Sequence, residues 1–291
     1  MENWDDYRVI LALYRGKSLR QAGRELNMNH STVCRRVAQL NRKYAAPVFE
    51  GSPQGYILTL FGQSLLESAE KIEAFAQKDL RLKRGTQIDI SGSITLSIPP
   101  PIVQYLLLDD LLEFGQMYPQ ISLNVHTSYQ LVDLDRSEAD IVVRASNTPP
   151  EHLVGRRLFP ITVAYYASTQ YLETTTSQNF SWITANCATS KPDWLSETPW
   201  PDAGVALKID DLVLRHHAAA AGKGLIRGAC YIANAFPELV RVDNNRPFPF
   251  QELWILTHPD LRHVARIKLL MNFLTDKLRE REALVTGLQL S

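Results

Sequence analysis

The chain has 291 residues, more than one typical domain, and 45% of them are apolar, enough for packed cores. Its 31 basic and 31 acidic residues cancel, so no overall field points to a partner, and no apolar run reaches the ~18 residues that a membrane helix needs. Residues 1–8 place acids where an export signal has a basic stretch and an apolar core, which predicts a cytoplasmic protein with no membrane partner.

Tyr7, Ile10, Leu11 and Tyr14 give a first helix one apolar face, suited to cover two short helices that follow. In the first of these, Leu19, Ala22, Gly23 and Leu26 fall at i, i+3, i+4 and i+7, with Ser18 as its N-cap. Asn27, Met28 and Asn29 turn the chain, and Asn29 caps the next helix, whose Val33, Val37 and Leu40 face inward. The other side of that helix offers Thr32, Arg35, Arg36 and Gln39, with Asn29, His30 and Ser31 beside them. A short capped helix presenting guanidinium, hydroxyl and amide groups suits the major groove of double-stranded DNA.

The charge distribution agrees. Residues 15–43 hold eight bases (Arg15, Lys17, Arg20, Arg24, Arg35, Arg36, Arg42 and Lys43) against one acid, Glu25. Residues 1–87 carry a net +5 and residues 88–291 a net −5, so the balanced total hides a basic head and an acidic body. With one acid inside the motif, Arg35 and Arg36 are expected to have no ion-pair partner.

A Pro- and Gly-punctuated hairpin follows as a wing, and Thr59 caps a long helix running to about residue 84. Along it Leu65, Ala69, Ile72 and Ala76 recur at steps of four and three, a seam predicted to pair with a second copy of the chain. Residues 84–87 read as a hinge.

Beyond the hinge, strand-like and helix-like patterns alternate. Strands are predicted at 93–98, 121–127, 139–144, 163–167, 205–208, 225–226 and 253–257, and helices at 104–118, 211–222 and 264–281. This order predicts an α/β architecture with a mostly parallel sheet split into lobes, and ligands beyond the carboxyl ends of the strands. Cys34, Cys187 and Cys230 are far apart and are expected as small buried hydrophobes rather than as a disulfide framework or zinc site. No cofactor is implied.

Catalysis is not expected, because the chain lacks G-x-x-x-x-G-K-S/T, G-x-S-x-G and H-E-x-x-H. Gly222, Lys223 and Gly224 follow a helix and read as a turn, the adjacent His216 and His217 point apart, and Asp109 and Asp110 read as a solvated helix exterior. The alternative is a two-lobed small-molecule-binding protein or an enzyme without regulatory DNA binding, and the basic head argues against it.

In order and spacing, one set of residues resembles the LysR-type transcriptional regulators over nearly the whole chain. In the head it comprises Ala22, Leu26, Val33, Arg35, Arg36, Leu40, Val48, Phe49, Leu58, Thr59 and Gly62. In the body it comprises Gly92, Phe114, Tyr118, Pro119, Leu123, the Val132-Asp133-Leu134 triplet and the stretches 139–144, 153–158 and 221–225. The resemblance implies a winged helix-turn-helix over 1–58, a linker and dimerisation helix with hinge over 59–87, and a two-lobed, periplasmic-binding-protein-like effector domain over 88–291. Lobe I would span about 88–161 and 265–291, and lobe II about 162–264. The function implied is a sequence-specific transcriptional regulator, a homodimer or homotetramer on promoter or operator DNA. A small-molecule effector of unknown identity would bind the cleft, and RNA polymerase is a candidate partner.

By position, that cleft should be lined by Pro100, Pro101, Ile102, Ser128, Tyr129, Ser146 and Asn147, with Asp210, Ile226 and Arg227 from the other lobe. The family often has serine or threonine at the position of Pro101. Three consecutive prolines supply no backbone N–H and deplete that anion cradle. Either the effector is not held by the customary carboxylate grip or Arg227 carries it; the prolines could also merely stiffen the loop, and Arg227 could pair with Asp210. In the head, His30, Cys34, Asn41 and Glu50 depart from the usual residues, and Glu50 would repel phosphate.

Overall fold

The computed structural model describes residues 4–44, 46–52, 55–85, 90–129, 139–187, 191–242 and 246–288. The Val132-Asp133-Leu134 triplet and positions 86–87 of the expected hinge lie outside them. The chain divides into two compact units, Met1–Arg81 and Leu82–Ser291.

The first unit opens with α1 (Trp4–Gly16), α2 (Leu19–Glu25) and α3 (His30–Lys43). A wing of β1 (Phe49–Ser52) and β2 (Gly55–Leu58) follows, and then α4 (Leu60–Gly85). The caps are those read from sequence: the Gln21 N–H donates to Ser18 Oγ (3.2 Å), Ser31 N–H to Asn29 Oδ1 (3.1 Å) and Gly62 N–H to Thr59 Oγ1 (3.0 Å). Between α2 and α3 the Met28 N–H closes back on the Gly23 carbonyl at 2.8 Å, with Asn27 in the left-handed region at φ 52°. A Cβ on Gly23 would lie 2.7 Å from Met28 O, so this tight turn requires glycine there. Val33, Val37 and Leu40 of α3 pack with Ile10, Leu13, Ala22 and Phe49 in a closed core.

The second unit is built on a seven-stranded mixed sheet. Its strands are β3 (Gly92–Ile98), β4 (Ile121–Thr127), β5 (Ile141–Ala145), β6 (Val154–Ser168), β9 (Ile226–Ala229), β10 (Leu239–Arg241) and β11 (Phe248–Thr257). β7 (Ser181–Thr184) and β8 (Gly204–Lys208) form a separate parallel pair. The order is β10-β6-β11-β5-β3-β4, with β9 also on β6. Among the described residues, only the β3–β4 and β3–β5 pairings of this sheet are parallel. The expected mostly parallel sheet is therefore corrected to a mixed one, because the long strands β6 and β11 return antiparallel to each other and to their other neighbours.

The helix predicted from residue 104 begins four residues earlier. α5 (Pro100–Ile102) passes through a π segment (Val103–Leu107) into α6 (Leu108–Met117). Proline suits a first helical turn, where the missing N–H would have no intrahelical acceptor. α7 (Thr169–Thr174), α8 (Leu212–Ala220), α9 (Cys230–Ala233), α10 (Ala265–Glu280) and α11 (Glu282–Val285) complete the unit. Gly222 at φ +74° and Gly224 at φ +147° make the predicted turn after α8.

Two polar residues of this unit are structural. Asp140 is buried: its carboxylate accepts the Thr95 N–H (2.8 Å) and its carbonyl accepts Thr257 Oγ1–H (2.7 Å), joining β3 to β11. Asp110, expected in solvent, is buried instead and lies 2.7 Å from Arg281 and 3.5 Å from Lys277 of α10.

His216 is also buried, with Nδ1 2.8 Å from Leu212 O, and burial holds its pKa down at about 4. Its native pKa is therefore below the unfolded value of roughly 6.5, so this stability is complete above that pH and lost towards about pH 4. Between pH 6.5 and 5 the second unit should lose about 2 kcal/mol from this group. In urea unfolding at the two pH values, His216→Leu should flatten the difference. An equal loss in that variant would place the sensitivity elsewhere.

Candidate functional site

The DNA-reading side expected of α3 faces away from the core. His30, Ser31, Arg35 and Gln39 are exposed, and Thr32 and Arg36 are half-buried. Asn29 is also exposed, but its Oδ1 is engaged in the cap and accepts from Ser31 Oγ as well (3.2 Å). Arg35 has no carboxylate partner among the described residues. Arg36 does: Asp5 of α1 lies 3.4 Å from its guanidinium. The expectation that both arginines lack ion pairs is thus corrected, because folding brings an acid from outside residues 15–43. Likewise Lys43 meets Asp6 at 2.7 Å, and Arg15 is turned onto Glu73 and Glu25. Lys17, Arg20, Arg24, Arg35 and Arg42 retain uncompensated charge among the described residues.

The departures at the head resolve in different ways. Asn41 secures the wing: its Nδ2 donates to Phe49 O (2.8 Å), and its Oδ1 accepts from Val48 N–H (2.8 Å) and Phe49 N–H (3.1 Å). Glu50 is exposed on β1. Cys34, expected in a core, is exposed on α3 because Val33 and Val37 take the inward positions; Cys187 is half-buried and Cys230 buried.

The seam on α4 is divided. Ala69 is fully buried and Leu65 packs against the head's own core, whereas Ile72 and Ala76 are exposed and Phe75 is 69% exposed. The Arg15–Glu73 pair, with one contact at 3.0 Å, fixes α4 to α1 at this point. The first half of the expected dimer seam is therefore used within one chain, and the remaining apolar surface is Ile72, Phe75 and Ala76 at i, i+3 and i+4.

In the second unit, a cavity of about 320 Å³ opens at the carboxyl ends of β3 and β5. Of the ten predicted lining residues, Pro101, Ile102, Tyr129 and Arg227 face it. Pro100, Ser128, Ser146, Asn147, Asp210 and Ile226 do not. Asn147 instead donates to Phe250 O (3.0 Å), Ile226 is core, and Asp210 accepts from Asn186 N–H (3.1 Å) and Nδ2 (2.8 Å). The rest of the wall comes from Pro99, from Arg144 and Ala145 of β5, and from Ile161 and Val163 of β6. Leu212 and Arg215 of α8, Ala229, Tyr231, Phe250 and Gln251 complete it. The i, i+3 spacing of Leu212 and Arg215 behind the Asp211 cap was a readable signal for the second arginine. Phe250 and Gln251 gave none, since the sequence pattern shows β11 only from residue 253.

Among the described residues, three guanidiniums and no carboxylate therefore line one largely apolar cavity. Arg144 is buried and donates to Ser97 Oγ and Val143 O, both at 2.8 Å; burial lowers its pKa to about 10, so it stays charged at neutral pH. Arg215 donates to the Ile209 (2.7 Å) and Asp210 (3.1 Å) carbonyls. The Arg227 guanidinium lies 4.3 Å from the ring centre of Trp194 and 5.0 Å from that of Phe250. Burial pushes the pKa of both Arg215 and Arg227 down, the mark of cations held out of water. At the rim, the Tyr129 hydroxyl reaches Asp211, the N-cap of α8, at 3.5 Å; burial and then that carboxylate raise its pKa to about 12, so it remains a donor.

Comparison with known proteins follows the same division. Residues 4–63 match the family "Bacterial regulatory helix-turn-helix protein, lysR family", and residues 88–279 match "LysR substrate binding domain". The chain is 29% identical over 157 residues to the Mau operon transcriptional activator of Paracoccus denitrificans, covering 54% of this chain and 55% of that protein. It is 28% identical over 160 residues to the HTH-type transcriptional regulator DsdC of Escherichia coli (strain K12), covering 55% and 50%. The chain thus spans about half the length of these curated relatives. Its fold is similar to full-length AphB of Vibrio cholerae, with a TM-score of 0.61, 17% identity and coverage of 94% of this chain and 99% of that one. It is also similar to CrgA of Neisseria meningitidis, with a TM-score of 0.56, 18% identity and coverage of 96% and 99%. Among the described residues no helix is long and apolar enough to cross a membrane. With its helix-turn-helix and its substrate-binding region both matched, the chain belongs to the LysR family of helix-turn-helix regulators.

Proposed function

We propose that the protein is a sequence-specific transcriptional regulator in which an anionic small molecule bound by the second unit changes the grip of the first on DNA. The observation that carries this reading is the pairing of two features in one chain: an N-capped basic α3 with Arg35 exposed, and a cavity lined by three arginines. Residues 1–58 would be the winged head, 59–87 the linker and hinge, and 88–291 the effector domain with lobes at about 88–161 with 265–291 and at about 162–264. Double-stranded operator DNA and a second copy of the chain are the proposed partners, with RNA polymerase at activated promoters, in the cytoplasm. A solute binder or enzyme would have no use for the uncompensated bases of the head.

A gel shift with genomic fragments tests the reading: DNA should be retained at moderate salt, and the pattern should change with an effector. Failure to retain any fragment above non-specific levels would end it. Within that complex, Arg35→Ala should cost about 1–3 kcal/mol of specific binding if its fork grips a base edge, and the preference at that base should relax. Arg36→Ala should lose less, because Asp5 already holds that guanidinium. Competition titrations against base-substituted operators separate the two, and unchanged affinity in Arg35→Ala would remove it from the reading face.

A further inference from the structure

A second concave site lies on the second unit, at the other end of β5 from the arginine cavity. Thr257, in its wall, pairs with Ile141 at the first position of β5, whereas Arg144 and Ala145 of the cavity occupy the last two. The site has a volume of about 410 Å³, within the range of small-molecule pockets. Arg156, Arg262, His263 and Lys268 contribute to its wall with Thr257 and Met271, and among the described residues none that lines it is an acid.

These bases come from three separate elements: the start of β6, the turn before α10, and α10 itself. Among the described residues none of Arg156, Arg262 and Lys268 has a carboxylate partner. Asp260, two positions before Arg262 in the chain, lies 3.3 Å from His258 Nδ1 instead. The first turn of α10 contains no acid, and its N-cap Val264 makes no side-chain bond. Three of the seventeen bases of residues 88–291, a region with a net charge of −5, thus meet in one hollow without a carboxylate partner among the described residues.

Arg156 is also set in place. Its guanidinium donates to Thr275 Oγ1 (2.9 Å) and Asn272 Oδ1 (2.5 Å), neutral acceptors that fix its orientation and leave its charge uncompensated. Arg262 Nε–H donates to His263 Nε2 at 2.8 Å, which aligns a second guanidinium beside the imidazole. A single carboxylate is satisfied by one arginine fork. Two guanidiniums and an ammonium arriving from different directions instead match a tetrahedral, multiply charged group.

We propose that this hollow is a second ligand site, separate from the arginine cavity, for a small molecule bearing a phosphate group. It stands whether or not the arginine cavity binds an effector.

The test is calorimetric titration of the full chain with inorganic phosphate and with pyrophosphate, at ionic strength held constant with sodium chloride. Saturable binding is expected, tighter for pyrophosphate, at least tenfold weaker in Arg262→Glu/Lys268→Glu and retained in Arg227→Ala. Both substituted side chains are exposed; if the double variant nevertheless fails to fold, Lys268→Gln with an unchanged melting temperature serves, with a weaker but measurable loss. Absence of saturable binding, or equal binding in the charge-altered variants, would overturn the proposal. Loss in Arg227→Ala would do the same by moving the phosphate to the arginine cavity. In parallel, DNA titrations over a salt series should give the same slope for wild type and Arg262→Glu/Lys268→Glu. A shallower slope in the variant would assign the patch to DNA phosphates and refute the small-molecule site.

Discussion

Replacing both Ile72 and Phe75 of α4 with aspartate is expected to give monomers and to weaken operator binding by about 10²- to 10⁴-fold. The magnitude comes from linkage: two heads on one duplex share an effective concentration, and a monomer loses it without losing a contact to DNA. The structure decides which residues to change. Leu65 and Ala69 pack on the head's own core, so an aspartate at Leu65 would disturb the DNA-reading unit itself and confuse unfolding with dissociation. Ile72 is 37% and Phe75 69% exposed, and together with Ala76 they form an apolar patch on a helix whose other side is already buried. Burying such a patch against its own copy is the economical solution, since each large apolar side chain removed from water contributes roughly 1.5–3 kcal/mol. Sedimentation velocity reads the outcome directly. An intact dimer in the double variant, with normal melting of the head, would show that association uses another surface.

Helix positions and caps in the head were legible because they depend on local spacing. Ser18, Asn29 and Thr59 act where the sequence placed them, and Val33, Val37 and Leu40 face inward as their periodicity requires. Ion pairing was not legible, since it depends on which distant acids folding delivers: Asp5 and Asp6 lie about thirty to forty residues before their partners Arg36 and Lys43, and Glu73 follows the motif. The same limit governed the cavity. Residues directly beyond a strand end, such as Pro101 and Ile102, were recognisable from topology alone. Ser146 and Asn147 follow β5 just as closely, yet Ser146 N–H donates to Glu252 O and Asn147 to Phe250 O, which ties this segment to β11. Strand direction was misjudged for a related reason. A long strand that runs on and returns antiparallel has the same residue pattern as a short parallel one.

Arg227→Ala should weaken binding of a carboxylate effector by about 2–5 kcal/mol, the range for truncating one partner of a buried charge pair. The cation is already half-desolvated, set over the rings of Trp194 and Phe250 with no carboxylate partner among the described residues, so much of the cost of taking it from water is met before the ligand arrives. Pro99, Pro100 and Pro101 leave the start of α5 with no N–H donors at those positions, so the helix end cannot substitute for the lost guanidinium. Apolar neighbours such as Ile102, Ile161 and Val163 favour a compact carboxylate with an aliphatic or aromatic body. A thermal-shift series of small carboxylates beside uncharged analogues of the same shape checks both halves of the argument. The acids should stabilise the wild type and the neutral analogues should not, while Arg227→Ala should lose the effect. Arg227→Lys should recover only part of it, because an ammonium keeps the charge but not the bidentate fork of the guanidinium set over Trp194. Stabilisation by simple carboxylates that survives in Arg227→Ala would sink the assignment and shift the grip to Arg144 or Arg215.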